Sequence, residues 1–167
     1  MNKLPIALTE EEFVALCKVD KNKHHRVSYV LGYFSGLRIS EVVNLKPEDI
    51  NIQGKSIFIS QGKGKNDRVV PLPKYFKEVM LKEIPMKCGV RALQKAFKIA
   101  ATKTGLKQIK PDVSFHSLRH SFATRCVHAG MPIDHVRTLL GHASISTTNV
   151  YLKANPKEAL SKYEELF

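Results

Sequence analysis

Apolar positions recur at helical spacing along most of the chain and change to alternation only between residues 50 and 72. Thr9 followed by Glu12 reads as a capping box ahead of Phe13, Leu16 and Cys17, which predicts a helix from Glu10 to about Val19. Val27, Val30, Leu31 and Phe34 form one stripe of a second helix over about residues 24–35, stopped by Gly36. Arg38 falls in the tight connection to a short helix capped by Ser40, which carries Val42, Val43 and Leu45 and ends before Pro47. The period then becomes two. Asn51-Ile52, a Gln53-Gly54 turn, residues 56–60, the loop GKGKND and Arg68-Val-Val-Pro-Leu predict a small antiparallel meander whose last strand Pro71 and Pro73 confine to an edge.

Helical spacing returns over residues 74–84 and 90–104, before a stop at Gly105. Ser114 caps a helix to about His128, ended by Gly130, and Pro132 opens another with Ile133, Val136, Leu139 and Leu140 inward, stopped at Gly141. A short helix starting at Ser146 or Thr147 bears Tyr151. The last helix follows Asn155-Pro156 and carries Ala159, Leu160, Tyr163 and Phe167. The expected class is α+β, mainly helical with a small three-stranded antiparallel sheet.

At 167 residues and 43% hydrophobic content, the chain has material for one domain with a real core. Its apolar runs fall far short of the ~20 residues of a membrane span, and MNKLPIALTEEEF lacks a secretory apolar core. A cytosolic, nucleoid-associated protein is therefore expected. Cys17, Cys88 and Cys126 are odd in number and show no CxxC spacing, so they read as reduced, buried small hydrophobes.

Charge changes the picture. The formal net charge is +12, and from Gln53 to Lys110 fourteen Lys or Arg face only Asp67, Glu78 and Glu83. A basic middle third inside an otherwise balanced domain is the footprint of a polyanion binder, with nucleic acid the leading ligand over a merely lysine-rich surface.

In FHSLRHSFATR, residues 115–125, His116, Arg119 and His120 fall on one helical face, with Leu118, Phe122 and Cys126 on the other. His116 and Arg119 also lie in the first turns, where free backbone N–H groups favour an anion. Arginine supplies a planar fork for phosphate, and histidine a proton exchanged near neutral pH. The same i, i+4 histidines have the spacing of a metalloprotease HExxH pair. Ser117 replaces the essential glutamate, however, and Arg119 would repel a divalent cation, so no metal or other cofactor is expected. The loop QGKGKNDR is no Walker A motif, because Ile57 stands where its first glycine belongs and no Ser or Thr follows Lys63. Its lysines fit a solvated turn, a DNA-backbone contact, or a general acid whose ammonium is disfavoured among arginines.

GLRISEVVNL (36–45), GKGKNDRVVPLP (62–73), HSLRHSFAT (116–124) and LLGHASISTTNVY (139–151) resemble, in order and separation, the four motif blocks of the tyrosine recombinases, the phage integrase and Xer-type family. The resemblance implies a DNA breaking-rejoining catalytic domain over residues 1–167, with the usual N-terminal core-binding domain absent. It implies that Arg38 and Arg119 clamp the scissile phosphate of double-stranded DNA, that Lys63 protonates the departing 5′ oxygen, and that His116 serves proton transfer. It further implies that His142 hydrogen-bonds the phosphate and that Tyr151 is the nucleophile. Glu41 resembles the acid that orients the first block. Lys65 shares the loop and would replace Lys63 if the hairpin register moved by one residue. The resemblance also implies self-association on DNA as a synaptic tetramer through the C-terminal ALSKYEELF. Type IB topoisomerase-like relaxation and a DNA-binding module without catalysis remain the alternatives.

Overall fold

The computed structural model describes residues 5–60, 67–141 and 156–167. Helix α1 (Glu10–Val19) starts at the expected box. Thr9 Oγ1 accepts the Glu12 N–H at 3.3 Å, and Glu12 accepts the Thr9 N–H at 2.8 Å. Helix α2 (Lys23–Ser35) is capped by the Asn22 side chain and ends at Gly36, whose φ of 68° suits a residue without Cβ. The connection is so tight that Arg38 is already the N-cap of α3 (Ile39–Asn44), and Ser40, the expected cap, lies inside the first turn. A serine is not needed there, because Glu41 reaches back to accept the Arg38 N–H at 2.7 Å.

The sheet has the order β1 (Ile50–Asn51), β2 (Ser56–Ile59), β3 (Arg68–Pro71), antiparallel throughout, with Ile57 opposite Val70 and Ile59 opposite Arg68. Its proline-bearing strand lies at an edge, as expected. Residues 74–84 depart from the expected helix. They form a turn in which the Phe76 N–H donates to the Pro73 carbonyl, followed by a 3₁₀ segment at Glu78–Glu83. Phe76 and Ile84 are buried, whereas Tyr75 and Val79 are 67% and 60% exposed.

Helices α4 (Val90–Lys103), α6 (Phe115–His128) and α7 (Ile133–Leu140) follow the predicted spans, with a short α5 (Leu106–Ile109) that periodicity did not signal. Val136, Leu139 and Leu140 are buried, whereas Ile133, expected inward, is 52% exposed in the opening turn of α7. Of the cysteines only Cys126 is fully buried, and Cys17 and Cys88 are half-buried thiols at the margin of the core. The short helix expected around Tyr151 lies outside the described residues. Helix α8 (Pro156–Leu166) packs on its own chain: the Tyr163 ring stacks on Phe122, and its hydroxyl donates to the Phe34 carbonyl at 3.1 Å. Arg125 lies over the rings of Tyr33, Phe34 and Phe167. Among the described residues no helix is long and apolar enough to cross a membrane.

Two apolar clusters meet along α6. Phe115 and Leu118 belong to the larger, shared with α1, α2, the sheet and α4, while Phe122 and Cys126 belong to the smaller, shared with α7 and α8. Arg119 stands at the seam between them. Helix α2 crosses α6 there at close range, since a Cβ at Gly32 would lie 3.1 Å from Leu118 Cβ and one at Gly36 2.6 Å from Phe122 Cδ1. Gly36→Ala is accordingly expected to cost about 2–4 kcal/mol, from a left-handed alanine and from the overlap with Phe122. Urea unfolding checks this, as a lower midpoint at unchanged slope.

Candidate active site

Glu41 is the hub of the site. Its carboxylate accepts from Arg38 Nη1 at 2.9 Å and takes a two-pronged grip from Arg68, Nη1 to Oε1 at 2.7 Å and Nη2 to Oε2 at 2.8 Å. Arg119 Nη1 lies 4.0 Å from Oε2. Three guanidiniums from α3, β3 and α6 thus surround one carboxylate. They stand on different elements for different reasons. Arg38 is set by the Gly36 turn, Arg119 by its place between the core residues Leu118 and Phe122, and Arg68 by strand parity, because it lies two residues from the buried Val70.

The three cationic positions of α6, expected on one face opposite Leu118, Phe122 and Cys126, differ in exposure, from exposed His116 to buried Arg119. Arg119 is only 4% exposed, because its guanidinium turns inward and donates to the Gly36 carbonyl at 2.6 Å and to the Leu140 carbonyl. Arg68 Nε donates to the neighbouring Leu139 carbonyl at 2.8 Å. The last carbonyls of α7, which have no partner within a helix, are thereby satisfied by cations at its negative end. His116 is exposed on the first turn of α6, and its ring meets that of His120 edge-to-face with centroids 4.5 Å apart. Burial and the charge of Arg119 together hold His120 below the ordinary imidazole range. Arg38 keeps a side-chain exposure of 36%, so it offers a solvent-facing edge beside the buried pair.

These placements leave a strained charge balance. Burial first, then repulsion from Arg38 and Arg68, brings Arg119 down to about 9, with Glu41 opposing. It remains a cation at neutral pH, but one that an added anion would relieve. Burial pushes the Glu41 carboxyl up, and the hydrogen bonds and charge of Arg68, then of Arg38, outweigh it and hold the group at about 2. The linkage sign follows. The folded value lies below the ordinary 4.5, so the stability Glu41 contributes is complete above pH 4.5 and is lost as pH falls toward 2. A Glu41→Gln variant should lose stability at neutral pH and show a flatter acid limb between those values, measured by circular dichroism against pH.

Of the residues singled out by sequence, the structure brings Arg38 and Arg119 together around Glu41 and sets His116 one turn of α6 before Arg119. Lys63, Lys65, His142 and Tyr151 lie outside the described residues. Among the described residues, no group of three His, Cys, Asp or Glu side chains is arranged to hold a metal ion. Sequence reasoning missed Arg68.

Residues 7–158 match the phage integrase family. The chain is 36% identical over 182 residues to the tyrosine recombinase XerA of Thermococcus kodakarensis, covering 97% of this chain and 62% of that protein. It is 33% identical over 177 residues to a tyrosine recombinase of Thermosipho africanus, covering 98% and 62%. Among solved structures it superposes with a TM-score of 0.71, at 27% identity, on the XerH site-specific recombinase bound to a palindromic difH substrate after cleavage, covering 98% of this chain and 54% of that one. The chain thus spans about three fifths of the length of the curated relatives it matches. With a family match across nearly the whole sequence and a fold shared with these recombinases, the chain belongs to the phage integrase family.

Proposed function

We propose that the chain is the catalytic unit of a site-specific recombinase that cuts and rejoins double-stranded DNA through a 3′-phosphotyrosyl link at Tyr151, without metal or cofactor. The observation that carries this reading is the convergence of Arg38 and Arg119, far apart in sequence, on one carboxylate that is only 10% exposed, with positive charge left over. Such a pocket suits a phosphodiester, and suits still better the pentavalent transition state with its added negative charge.

In this reading the Tyr151 oxygen attacks phosphorus as its proton passes to His116. The bond from phosphorus to the 5′ oxygen breaks, its electron pair leaves with that oxygen, and Lys63 supplies the proton. Arg38, Arg119 and His142 hold the non-bridging oxygens. A 5′ hydroxyl from another strand reverses the same steps, so joining needs no nucleotide energy source. Exchange between two duplexes cuts four strands with one tyrosine for each, which calls for a tetramer on DNA, with α8 as the candidate contact, acting where the nucleoid is. The relatives' names favour recombination over topoisomerase-like relaxation.

A nicked duplex pool, randomised around the break so that the released 5′ fragment diffuses away, tests the reaction class. An SDS-resistant, protease-sensitive protein–DNA adduct that is insensitive to EDTA is the expected product. Failure to form any adduct would reject the reading, and relaxation of supercoils without exchange between two sites would replace it with the topoisomerase alternative. On the same substrate, Lys63→Ala should slow adduct formation by ~10²-fold or more and Lys65→Ala far less. The reverse order would move the general acid to Lys65 and leave the reaction class standing.

A further inference from the structure

We infer that Arg68 is a positioning residue for the phosphate clamp, a role that rests on the reaction proposed above. Its side chain is 5% exposed and donates inside the protein, to both Glu41 oxygens and to the Leu139 carbonyl. It therefore has little surface to offer a DNA phosphate. What it holds is the group that holds the others. Glu41 accepts from the side chain and the backbone N–H of Arg38 and lies 4.0 Å from Arg119. Through Leu139, Arg68 also fixes the end of α7, whose next carbonyl, that of Leu140, accepts from Arg119.

The seat is shaped for this one side chain. A Cβ on Gly141 would lie 2.7 Å from Arg68 Cδ, and Gly141 takes a left-handed φ of 65°. The aliphatic stem thus passes where only glycine leaves room. Lysine at position 68 would keep the charge but lose the planar fork that engages both carboxylate oxygens and the carbonyl together. Glu41 would then be free to turn, and Arg38 and Arg119 would lose their common reference.

Two altered substrates separate this role from its rivals. A methylphosphonate at the scissile position removes the charge of one non-bridging oxygen, so cleavage depends less on aligned guanidiniums. A 5′-thio leaving group has a low pKa and departs without a proton, so cleavage depends less on the hairpin lysine. Arg68→Lys, kept folded as judged by its thermal midpoint, is expected to form the adduct about a hundredfold more slowly on ordinary phosphate. On the methylphosphonate its deficit relative to wild type should shrink to within about tenfold, and on the 5′-thio substrate it should remain. Glu41→Gln should show the same pattern, and combining it with Arg68→Lys should add little.

A deficit relieved by the 5′-thio substrate alone would overturn the inference and assign Arg68 to the hairpin lysine. An equal deficit on all three substrates would reduce Arg68 to a fold-stabilising residue. Undiminished adduct in Arg68→Lys would remove any role. Absence of adduct with the wild-type chain would reject the recombinase reading itself, an outcome distinct from the others because it does not depend on position 68.

Discussion

Tyr151→Phe is expected to abolish the covalent DNA adduct, with a loss of ~10⁴-fold or more on a nicked suicide substrate, while DNA binding and thermal stability stay near wild type. The magnitude follows from the chemistry. Removing one oxygen leaves no atom to bond to phosphorus, whereas ring, volume and helical propensity are nearly unchanged. A phenol titrates near ~10, so it is a poor nucleophile at neutral pH unless cations favour its oxyanion. In the proposed reaction, the surplus positive charge around Glu41 is what would supply that setting. The measurement is band-shifted protein on a denaturing gel, beside a binding assay in which both proteins must shift the same DNA. An undiminished adduct in the variant would move the nucleophile to another residue and remove the central assignment.

Arg119→Ala is expected to lower the rate of adduct formation by ~10³-fold or more, comparable to loss of a transition-state arginine in other phosphoryl transfers. Its effect on folding should be much milder than its burial suggests. The substitution leaves the Gly36 and Leu140 carbonyls without their donor, which costs about 1–3 kcal/mol apiece. It also removes a desolvated cation pressed by Arg38 and Arg68, and that relief offsets part of the loss. Under the proposed function, this charge arrangement would favour a bound phosphate at some cost to stability. Arg119→Lys should rescue little, because an ammonium cannot reach two carbonyls and a phosphate from one plane. Single-turnover rates and thermal melts on the same preparations check both halves. A large drop in melting temperature with a rate loss under tenfold would contradict the assignment.

Much of this architecture was legible in the sequence because its signals are local. The Thr9–Glu12 box, the Gly36 and Gly141 stops and the change to a period of two at Ile50 each report a nearby backbone event, and each appears where expected. The arginine pair was legible through the motif blocks. Arg68 was not, because what makes it important is Glu41, 27 positions away, and no local period reports that pairing. A clue was present in strand parity. Arg68 shares the face of Val70, and a charge turned into a core needs a carboxylate partner. Residues 74–84 depart for another reason: their spacing is helical, yet they form a turn and a 3₁₀ segment in which Val79 stays exposed and Tyr75, though set against Phe34, is largely in solvent. Ile133 departs likewise, since a regular stripe does not tell which of its members stays exposed in the opening turn.

The two carbonyls at the close of α7 have a wider consequence. Each is tied to an arginine from a different part of the molecule, so the helix cannot wind on or unwind by a residue without both guanidiniums letting go. Residue 141 is therefore a fixed point of departure. In the proposed reaction, the distance to Tyr151 is therefore counted from an origin fixed by Arg119, which would hold the phosphate, and by Arg68, which holds Glu41.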